Sequence, residues 1–338
     1  MIIGSSHAVF PIGDPSRVGE ARRYAAQLGY ECGLDETESG RLALVVTELT
    51  TNLLLHATGG RLLVSARQGR GEVEVIAIDE GPGIADVHRA LDDGYSTGGT
   101  SGTGLGAVRR LATQFDLHSA VAQGTIVVAR VRSAAALPAA PGAAQAIEVG
   151  AVALAAPGER VCGDAWAFAL DGQQAAMIVA DGLGHGPDAA EASAAALEAF
   201  AQDPMAPPRD LLERIHVRLR RTRGAAVMMF LADAAAGVIR SCGAGNVAGR
   251  LVSGTSDRSV LSQHGTAGIT IRTPEENSTP WPPHAMLVVC SDGVATRWKS
   301  EILAPLLGRD PALAAGLLAR DHCRGRDDAT VAILRRKD

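Results

Sequence analysis

The chain has 338 residues, of which 46% are hydrophobic and 20% are charged, and this is enough apolar sequence for two packed domains. Aromatic residues make up only 3%, so the cores must be built from Leu, Val, Ile and Ala. The formal net charge is −5, and no basic stripe or Lys/Arg run indicates a nucleic-acid-binding surface.

The five cysteines are dispersed and include no CxxC pair, which argues against a disulfide framework or a zinc site and favours a reducing compartment. The first ten residues lack the basic and apolar segments of a signal peptide. No apolar run approaches the roughly 20 residues that are needed to cross a bilayer. We therefore expect a cytoplasmic protein that does not associate with membranes.

The first half of the chain has the pattern of a mixed α/β domain. Helical spacing of apolar residues predicts helices over 16–28 and 42–56, and β-branched runs predict strands over 61–67, 72–79 and 125–131. A glycine-rich loop over 98–106 leads into a predicted helix over 105–115. We expect this domain to end at residue 132. The segment over 133–146 is rich in Ala and Pro and is predicted to be a linker, since its prolines disfavour a continuous helix.

The second half, over 147–338, is richer in predicted strands. Short apolar runs predict strands over 149–155, 165–170, 175–180, 225–231, 247–252, 286–290 and 330–334. Helices are predicted over 187–201, 209–222 and 311–322. Many short strands with a few long helices indicate a layered α/β sandwich.

Three polar elements in the first half have the composition of a nucleotide pocket. Glu48 and Asn52 are four residues apart on a predicted helix, so their side chains share one face. Asp79 ends an apolar strand before a Gly-Pro-Gly turn, where a carboxylate can accept a hydrogen bond from a base amino group. The glycine loop opens into a helix whose first amides can bind phosphate. Taken alone, the helix pair is more often a solvated helix face, and the Asp79 string is more often an ordinary turn. A lone glycine run is weak evidence, since flexible linkers have a similar composition.

The order ELTTN, DEGPG, GTGLG and QGT resembles the GHKL ATPase/kinase superfamily over roughly residues 10–132. Within it, the chain is most similar to the anti-sigma and switch serine kinases of the RsbT and RsbW type. The resemblance implies a GHKL-type α/β sandwich that binds ATP and Mg²⁺. It makes Glu48 the catalytic base, and it assigns Asn52 to Mg²⁺ and Asp79 to adenine. The other nucleotide-binding positions that it implies are Gly81, Gly83, Gly102, Thr103, Gly104, Leu105, Gly106 and Thr125.

Acidic residues stand beside apolar runs at four places in the second half. Asp164 occurs in the string CGD, Asp181 follows AAMIVA, Asp292 follows MLVVC, and Asp327 and Asp328 precede VAIL. A single Asp next to glycine is usually part of a turn. Carboxylates that converge from distant positions repel one another unless cations bridge them. Their hard oxygen atoms favour Mg²⁺ or Mn²⁺.

This series resembles the SpoIIE/RsbX branch of the PPM-class metal-dependent protein phosphatases over roughly residues 147–335. The resemblance implies a PPM-type α-β-β-α sandwich with two Mn²⁺ or Mg²⁺ ions. It also implies hydrolysis of phosphoserine or phosphothreonine by a metal-activated water, with Asp328 only supporting the site. The implied metal ligands are Asp164, Asp181, the Gly182 carbonyl, Asp292 and Asp327.

The two resemblances together predict a bifunctional signalling switch. The first domain would phosphorylate Ser or Thr of a STAS-domain partner, and the second would dephosphorylate the same or a related partner. In an alternative interpretation, the first domain is a nucleotide-gated module that sequesters such a partner, or a sigma factor, without kinase activity. In a third, it only regulates the phosphatase in cis. The kinase resemblance is also compatible with a homodimer.

Overall fold

The computed structural model of the chain describes residues 1–4, 6–92, 104–136 and 146–337. The chain divides into two compact units, His7–Ala140 and a second unit made of Met1–Ser6 with Pro141–Asp338. This division differs from the expected domain boundaries at the amino terminus, because strand β1 (Ile2–Gly4) pairs with a strand of the second unit. The central part of the expected linker, 137–145, lies outside the described residues.

The unit His7–Ala140 is an antiparallel sheet with helices packed on one face. The strands lie in the order β2-β3-β4-β6-β5. Alternate residues of the central strands, such as Val73, Val75 and Ala77 on β4, join one core with the helices. In chain order the elements are β2 (Ala8–Pro11), α1 (Pro15–Glu31), α2 (Glu36–His56), β3 (Arg61–Arg67), β4 (Glu72–Ile78), α3 (Val87–Ala90), α4 (Gly104–Leu111), β5 (Gln114–Ser119) and β6 (Thr125–Arg132).

Two helix ends in this unit differ from the sequence expectation by four or more residues, and α1 ends at Glu31 instead of residue 28. Helix α2 begins at Glu36 instead of residue 42, because Asp35 and Glu38 form a reciprocal capping box ahead of the apolar pattern. Helix α4 ends at Leu111 instead of residue 115. The Thr113 amide donates to the Arg130 carbonyl at 2.7 Å, so the chain has already joined β6 and continues as β5.

The second unit consists of two antiparallel sheets with helices on their outer faces. The strand orders are β1-β8-β9-β10-β11-β16 and β13-β12-β17-β18-β7. In chain order the elements after β1 are β7 (Ile147–Leu154), β8 (Asp164–Asp171), β9 (Gln174–Gly182), α5 (Pro187–Gln202), α6 (Pro208–Leu219), β10 (Ala225–Asp233), β11 (Val238–Ala244), β12 (Ala248–Val252), β13 (Asp257–Leu261), β14 (Gly265–Thr266), β15 (Thr270–Ile271), β16 (Asn277–Pro280), β17 (Met286–Cys290), α7 (Pro311–His322) and β18 (Ala329–Arg336).

The period-two pattern of the strands assigns their side chains to different layers. On β9, Met177 and Val179 belong to the core between the two sheets, whereas Ile178 and Ala180 pack with α5 and α6. Helix α7 lies close to the other sheet, since a Cβ on Gly150 of β7 would stand 2.3 Å from the Ala312 amide nitrogen. The unit is therefore an α-β-β-α sandwich. Strands β11 and β13–β16 were not predicted, and most of the β13–β16 residues are exposed and lack an apolar run.

In the described ranges, no helix is long and apolar enough to span a bilayer.

Candidate active sites

The acidic residues of the second unit gather where strands of the two sheets begin and end. Asp164 is the first residue of β8 and is the direct cross-strand partner of Asp181 near the end of β9. Asp292 follows β17, and Asp327 and Asp328 precede β18, the neighbour of β17. A hydrogen bond of 2.6 Å from Ser291 Oγ to Asp164 Oδ2 links the two groups.

Two of these carboxylates are deeply buried and incompletely paired. Asp164 is 6% exposed and Asp328 is 3% exposed. Asp328 Oδ1 accepts a hydrogen bond of 2.8 Å from the Ala156 amide. Asp164 Oδ1 and Asp328 Oδ2 are buried without a hydrogen-bond partner among the described residues. Gly163 is required beside Asp328, because a Cβ there would lie 2.6 Å from Oδ2.

The electrostatics of the group oppose ionisation of its members. Burial first, and then the charges of Asp328 and Asp292, raise the pKa of Asp164 to about 7. Burial, followed by the charges of Asp164 and Asp292, raises the pKa of Asp181 to about 8. The pKa of Asp292 is also raised, mainly by burial and by Asp327. A bound cation would relieve this repulsion.

The donor set fits hard divalent cations. Carboxylates with unpaired buried oxygens, next to the Gly182 backbone, are the ligands that Mg²⁺ and Mn²⁺ prefer. Within the described residues, no three His, Cys, Asp or Glu side chains already form an ion-binding group. Mg²⁺ and Mn²⁺ commonly complete their coordination with water and carbonyl oxygens, so fewer than three side chains can suffice for each ion. The neighbouring Cys162 thiol donates to the Leu154 carbonyl at 3.4 Å, and burial raises its pKa strongly.

Two side chains that the sequence analysis did not single out, Ser291 and Asn246, hold the carboxylates in place. Ser291 Oγ, which donates to Asp164, also accepts from the Thr330 amide at 2.9 Å. Asn246 Nδ2 donates to Asp292 Oδ2 at 2.6 Å. Asn246 follows a Gly-Ala-Gly turn with no charged neighbour, so the sequence offers little signal for it. Ser291 precedes Asp292 directly, and this adjacency is the signal that could have identified it.

In the other unit, the structure brings the second helix and the end of the glycine loop together. Glu48 and Asn52 lie one turn apart on α2, and both are partly exposed. A Cβ on Gly104, the first residue of α4, would stand 3.3 Å from Asn52 Oδ1. Gly106 is buried, and Leu105 packs against the core of the unit. Gly102 and Thr103 lie outside the described residues.

Asp79 follows β4 and is fixed by its surroundings. Its amide donates to the Thr125 carbonyl at 3.0 Å, and its Oδ1 accepts from the Gly81 amide at 2.7 Å. A Cβ on Gly81 would approach Asp79 Oδ1 to 2.9 Å. The Thr125 hydroxyl lies 2.9 Å from Ser119 Oγ, within hydrogen-bond distance.

Gly83 is explained by contacts within the protein. Its φ is +71°, and a Cβ there would stand only 2.0 Å from the Ala120 carbonyl oxygen. The close approach that this glycine permits is therefore to the turn between β5 and β6. This contact within the protein explains the glycine by itself, and the assignment of Gly83 to the nucleotide stays a prediction.

Comparisons with known proteins assign the two halves separately. The family model described as a histidine kinase-like ATPase domain matches residues 13–131. The model of stage II sporulation protein E (SpoIIE) matches residues 171–337. Serine/threonine-protein kinase RsbT of Bacillus subtilis (strain 168) is 34% identical over 111 residues, which are 32% of this chain and 84% of RsbT.

Two solved structures are similar in fold. One comes from work on the bacterial stressosome as a modular system adapted to control secondary messenger signalling, with a TM-score of 0.53 and 24% identity over 56% of this chain and 99% of that one. The other is RsbX in complex with magnesium, with a TM-score of 0.51 and 21% identity over 56% of this chain and 96% of that one. The chain therefore belongs to the RsbT family of serine/threonine kinases through its histidine kinase-like ATPase domain, and it carries a SpoIIE-type PPM phosphatase domain in the same polypeptide.

Proposed function

We propose that the protein is a bifunctional switch that phosphorylates Ser or Thr of a STAS-domain partner with ATP and dephosphorylates the same or a related partner. The observation that carries the proposal is the pairing of Asp164 with Asp181 beside carboxylate oxygens that are buried and unpaired. Such an arrangement is costly without a cation and is suited to metal-assisted hydrolysis.

In the phosphatase unit, Asp164, Asp181, the Gly182 carbonyl, Asp292 and Asp327 would hold two Mn²⁺ or Mg²⁺ ions. These ions, when bound, supply an activated water and positive charge for the phosphate. Asp181 stands between β8 and β10 in the sheet, so pairing on both sides fixes the backbone from which its carboxylate would hold the ions. Ser291 and Asn246 orient Asp164 and Asp292 through their hydrogen bonds. Asp328 supports the site through the Ala156 amide.

In the kinase-like unit, Glu48 would take the proton from the accepting hydroxyl, as a general base must. Asn52 would hold Mg²⁺, and Gly104 beside it leaves space for a ligand at the start of α4, where a Cβ would stand 3.3 Å from Asn52 Oδ1. Asp79 would accept a hydrogen bond from the adenine amino group, in an orientation held by the Gly81 amide. The remaining glycines and Thr125 would border the nucleotide.

The test measures both activities on the full chain with candidate STAS-domain proteins. We expect ATP- and Mg²⁺-dependent phosphorylation of a Ser or Thr, and Mn²⁺- or Mg²⁺-dependent release of that phosphate. Glu48→Ala should reduce transfer at least 100-fold and leave dephosphorylation intact, since a general base contributes roughly 10²- to 10⁴-fold. Asp181→Asn should have the opposite effect, so each variant serves as the control for the other.

Two results would change this proposal. Undiminished and chelator-resistant hydrolysis by folded Asp181→Asn protein would refute the metal site. Tight ATP binding without transfer to any STAS protein would support the nucleotide-gated binding module instead of the kinase.

A further inference from the structure

Three loops that border the carboxylate group carry exposed arginines. They are the loop between β7 and β8, the loop between α6 and β10, and the loop between α7 and β18. We define the arginine rim as Arg160, Arg223 and Arg324, one from each loop, all of them exposed. The same loops also contain the exposed arginines Arg220, Arg221 and Arg326.

Arg223 stands beside the segment that follows Asp181 and Gly182. The Leu183 amide donates to the Gly224 carbonyl at 3.0 Å, which fixes the two loops against each other. A Cβ on Gly184 would lie 3.3 Å from Arg223 Nη1. The guanidinium pairs with Asp188 in the first turn of α5 at 2.6 Å, and both side chains are more than half exposed. An exposed pair of this kind contributes little to stability, so another carboxylate can replace Asp188 at small cost.

Arg324 and Arg160 lie in loops whose backbones adjoin the same group of carboxylates. The Arg324 amide donates to the Gly293 carbonyl at 2.8 Å, next to Asp292, and the Arg324 charge counteracts the rise in the pKa of Asp292. Arg160 follows Glu159, whose Oε1 lies 2.8 Å from His185 Nδ1 in the loop after Asp181. Within the described part of the chain, neither the Arg160 nor the Arg324 side chain forms an ion pair.

The protein as a whole has a net charge of −5 and would repel an acidic partner at a distance. The loops beside the site nevertheless contribute the three exposed arginines of the rim. Because bound divalent ions would compensate the carboxylates, the rim arginines are available to a substrate. We propose that the arginine rim binds acidic residues that flank the phosphorylated Ser or Thr of a protein substrate, and so sets the sequence preference of the phosphatase. This inference rests on the phosphatase activity proposed above.

The test compares three phosphorylated probes on the full chain with Mn²⁺. Two are phosphoserine peptides that differ only in having Asp and Glu or Asn and Gln beside the phosphoserine. The third is p-nitrophenyl phosphate, which has no flanking residues. Exposed ion pairs each contribute roughly 1.5- to 5-fold, so we expect kcat/KM at low salt to favour the acidic peptide about tenfold. High salt should reduce this preference, because it screens exposed charges.

The double variant Arg160→Gln/Arg223→Gln should retain less than about a threefold preference, mainly through a higher KM for the acidic peptide. Its hydrolysis of p-nitrophenyl phosphate should stay within about twofold of the parent, which also shows that the variant is folded. Arg324 is left unchanged because it lies beside Asp292. Arg258→Gln is the matched control, because Arg258 is an exposed arginine on edge strand β13.

A parent enzyme that hydrolyses p-nitrophenyl phosphate but treats both peptides equally would overturn the inference while the phosphatase activity stands. Retention of the full preference by the double variant, or equal losses on all three probes, would overturn it as well. No hydrolysis of any probe by the parent would refute the phosphatase activity and the inference together.

Discussion

Asp164 and Asp181 are harder to ionise in this fold than in an unfolded chain. They face each other across β8 and β9, and burial together with neighbouring carboxylates raises their pKa values to about 7 and about 8. The cost of keeping both charged is the physical reason for proposing a cation at this place.

The stability of the cation-free protein should fall as pH rises from about 4 to about 8. In the unfolded chain both aspartates titrate at their ordinary pKa of 3.8, so they have released their protons over most of this window. The folded pair still holds protons at these pH values, and each rise in pH therefore favours unfolding. Mn²⁺ should therefore raise the Tm more at pH 8 than at pH 5, because it replaces protons that have left. Thermal unfolding with a chelator and with Mn²⁺ measures both trends.

Asp181→Asn is the comparison variant for this experiment, since it removes one member of the pair. Its cation-free stability should depend less on pH, and Mn²⁺ should stabilise it little. If the chelated parent gained stability between pH 5 and pH 8 relative to this variant, the assigned coupling of the carboxylates would be wrong.

At the scale of elements, the second unit depends on a strand from the opposite end of the sequence. Strand β1 pairs in antiparallel register with β8, so that Gly4 lies opposite Trp166. A Cβ on Gly4 would stand 1.9 Å from Trp166 Cζ2. The Trp166 ring is held in the core and its centroid lies 5.2 Å from that of Phe168, so it has little room to move. Only glycine allows β1 to pair here.

Gly4→Val should therefore destabilise the second unit. Overpacking a core costs about 1–3 kcal/mol. At about 2–4 °C per kcal/mol for a domain of this size, the Tm should fall by roughly 2–12 °C. Differential scanning calorimetry with Mn²⁺ measures the change. Gly13→Val is the matched control, because no atom lies within 4 Å of a Cβ built there. Equal stability of the Gly4 variant and the parent would show that β1 contributes nothing to this sheet.

At the scale of the whole molecule, each unit has its own core and its own candidate site. The nucleotide positions lie on α2, after β4 and at the start of α4, and the carboxylates lie on β8, β9 and beside β17 and β18. A ligand that binds only the folded form slows the local opening of the elements that hold it.

Each ligand should consequently slow amide hydrogen exchange only in the unit that binds it. ATP with Mg²⁺ should slow amide exchange in α2 and around Asp79, and Mn²⁺ alone should slow it at Asp164, Asp181 and the start of β18. Asp79→Asn should lose at least part of the ATP effect and keep the Mn²⁺ effect. Protection by ATP in Asp79→Asn equal to that in the parent would remove Asp79 from the nucleotide site.

Much of each unit was determined locally by the sequence. Capping by Asp35, apolar periodicity in α2 and β9, and acidic residues beside apolar runs are short-range signals, and they specified helices, strands and the candidate carboxylates without any knowledge of the topology. The two resemblances added the fold class of each half, and the comparisons confirm it.

The tertiary structure alone decided which distant residues meet. The pairing of Gly4 with Trp166, the bond from Ser291 to Asp164, and the contact of Asn246 with Asp292 each join segments that are far apart in sequence. These contacts depend on strand register and on how two sheets face each other, and no local preference encodes either. Helix α4 shows the same limit, because pairing of Thr113 with β6 ends it before its apolar spacing does.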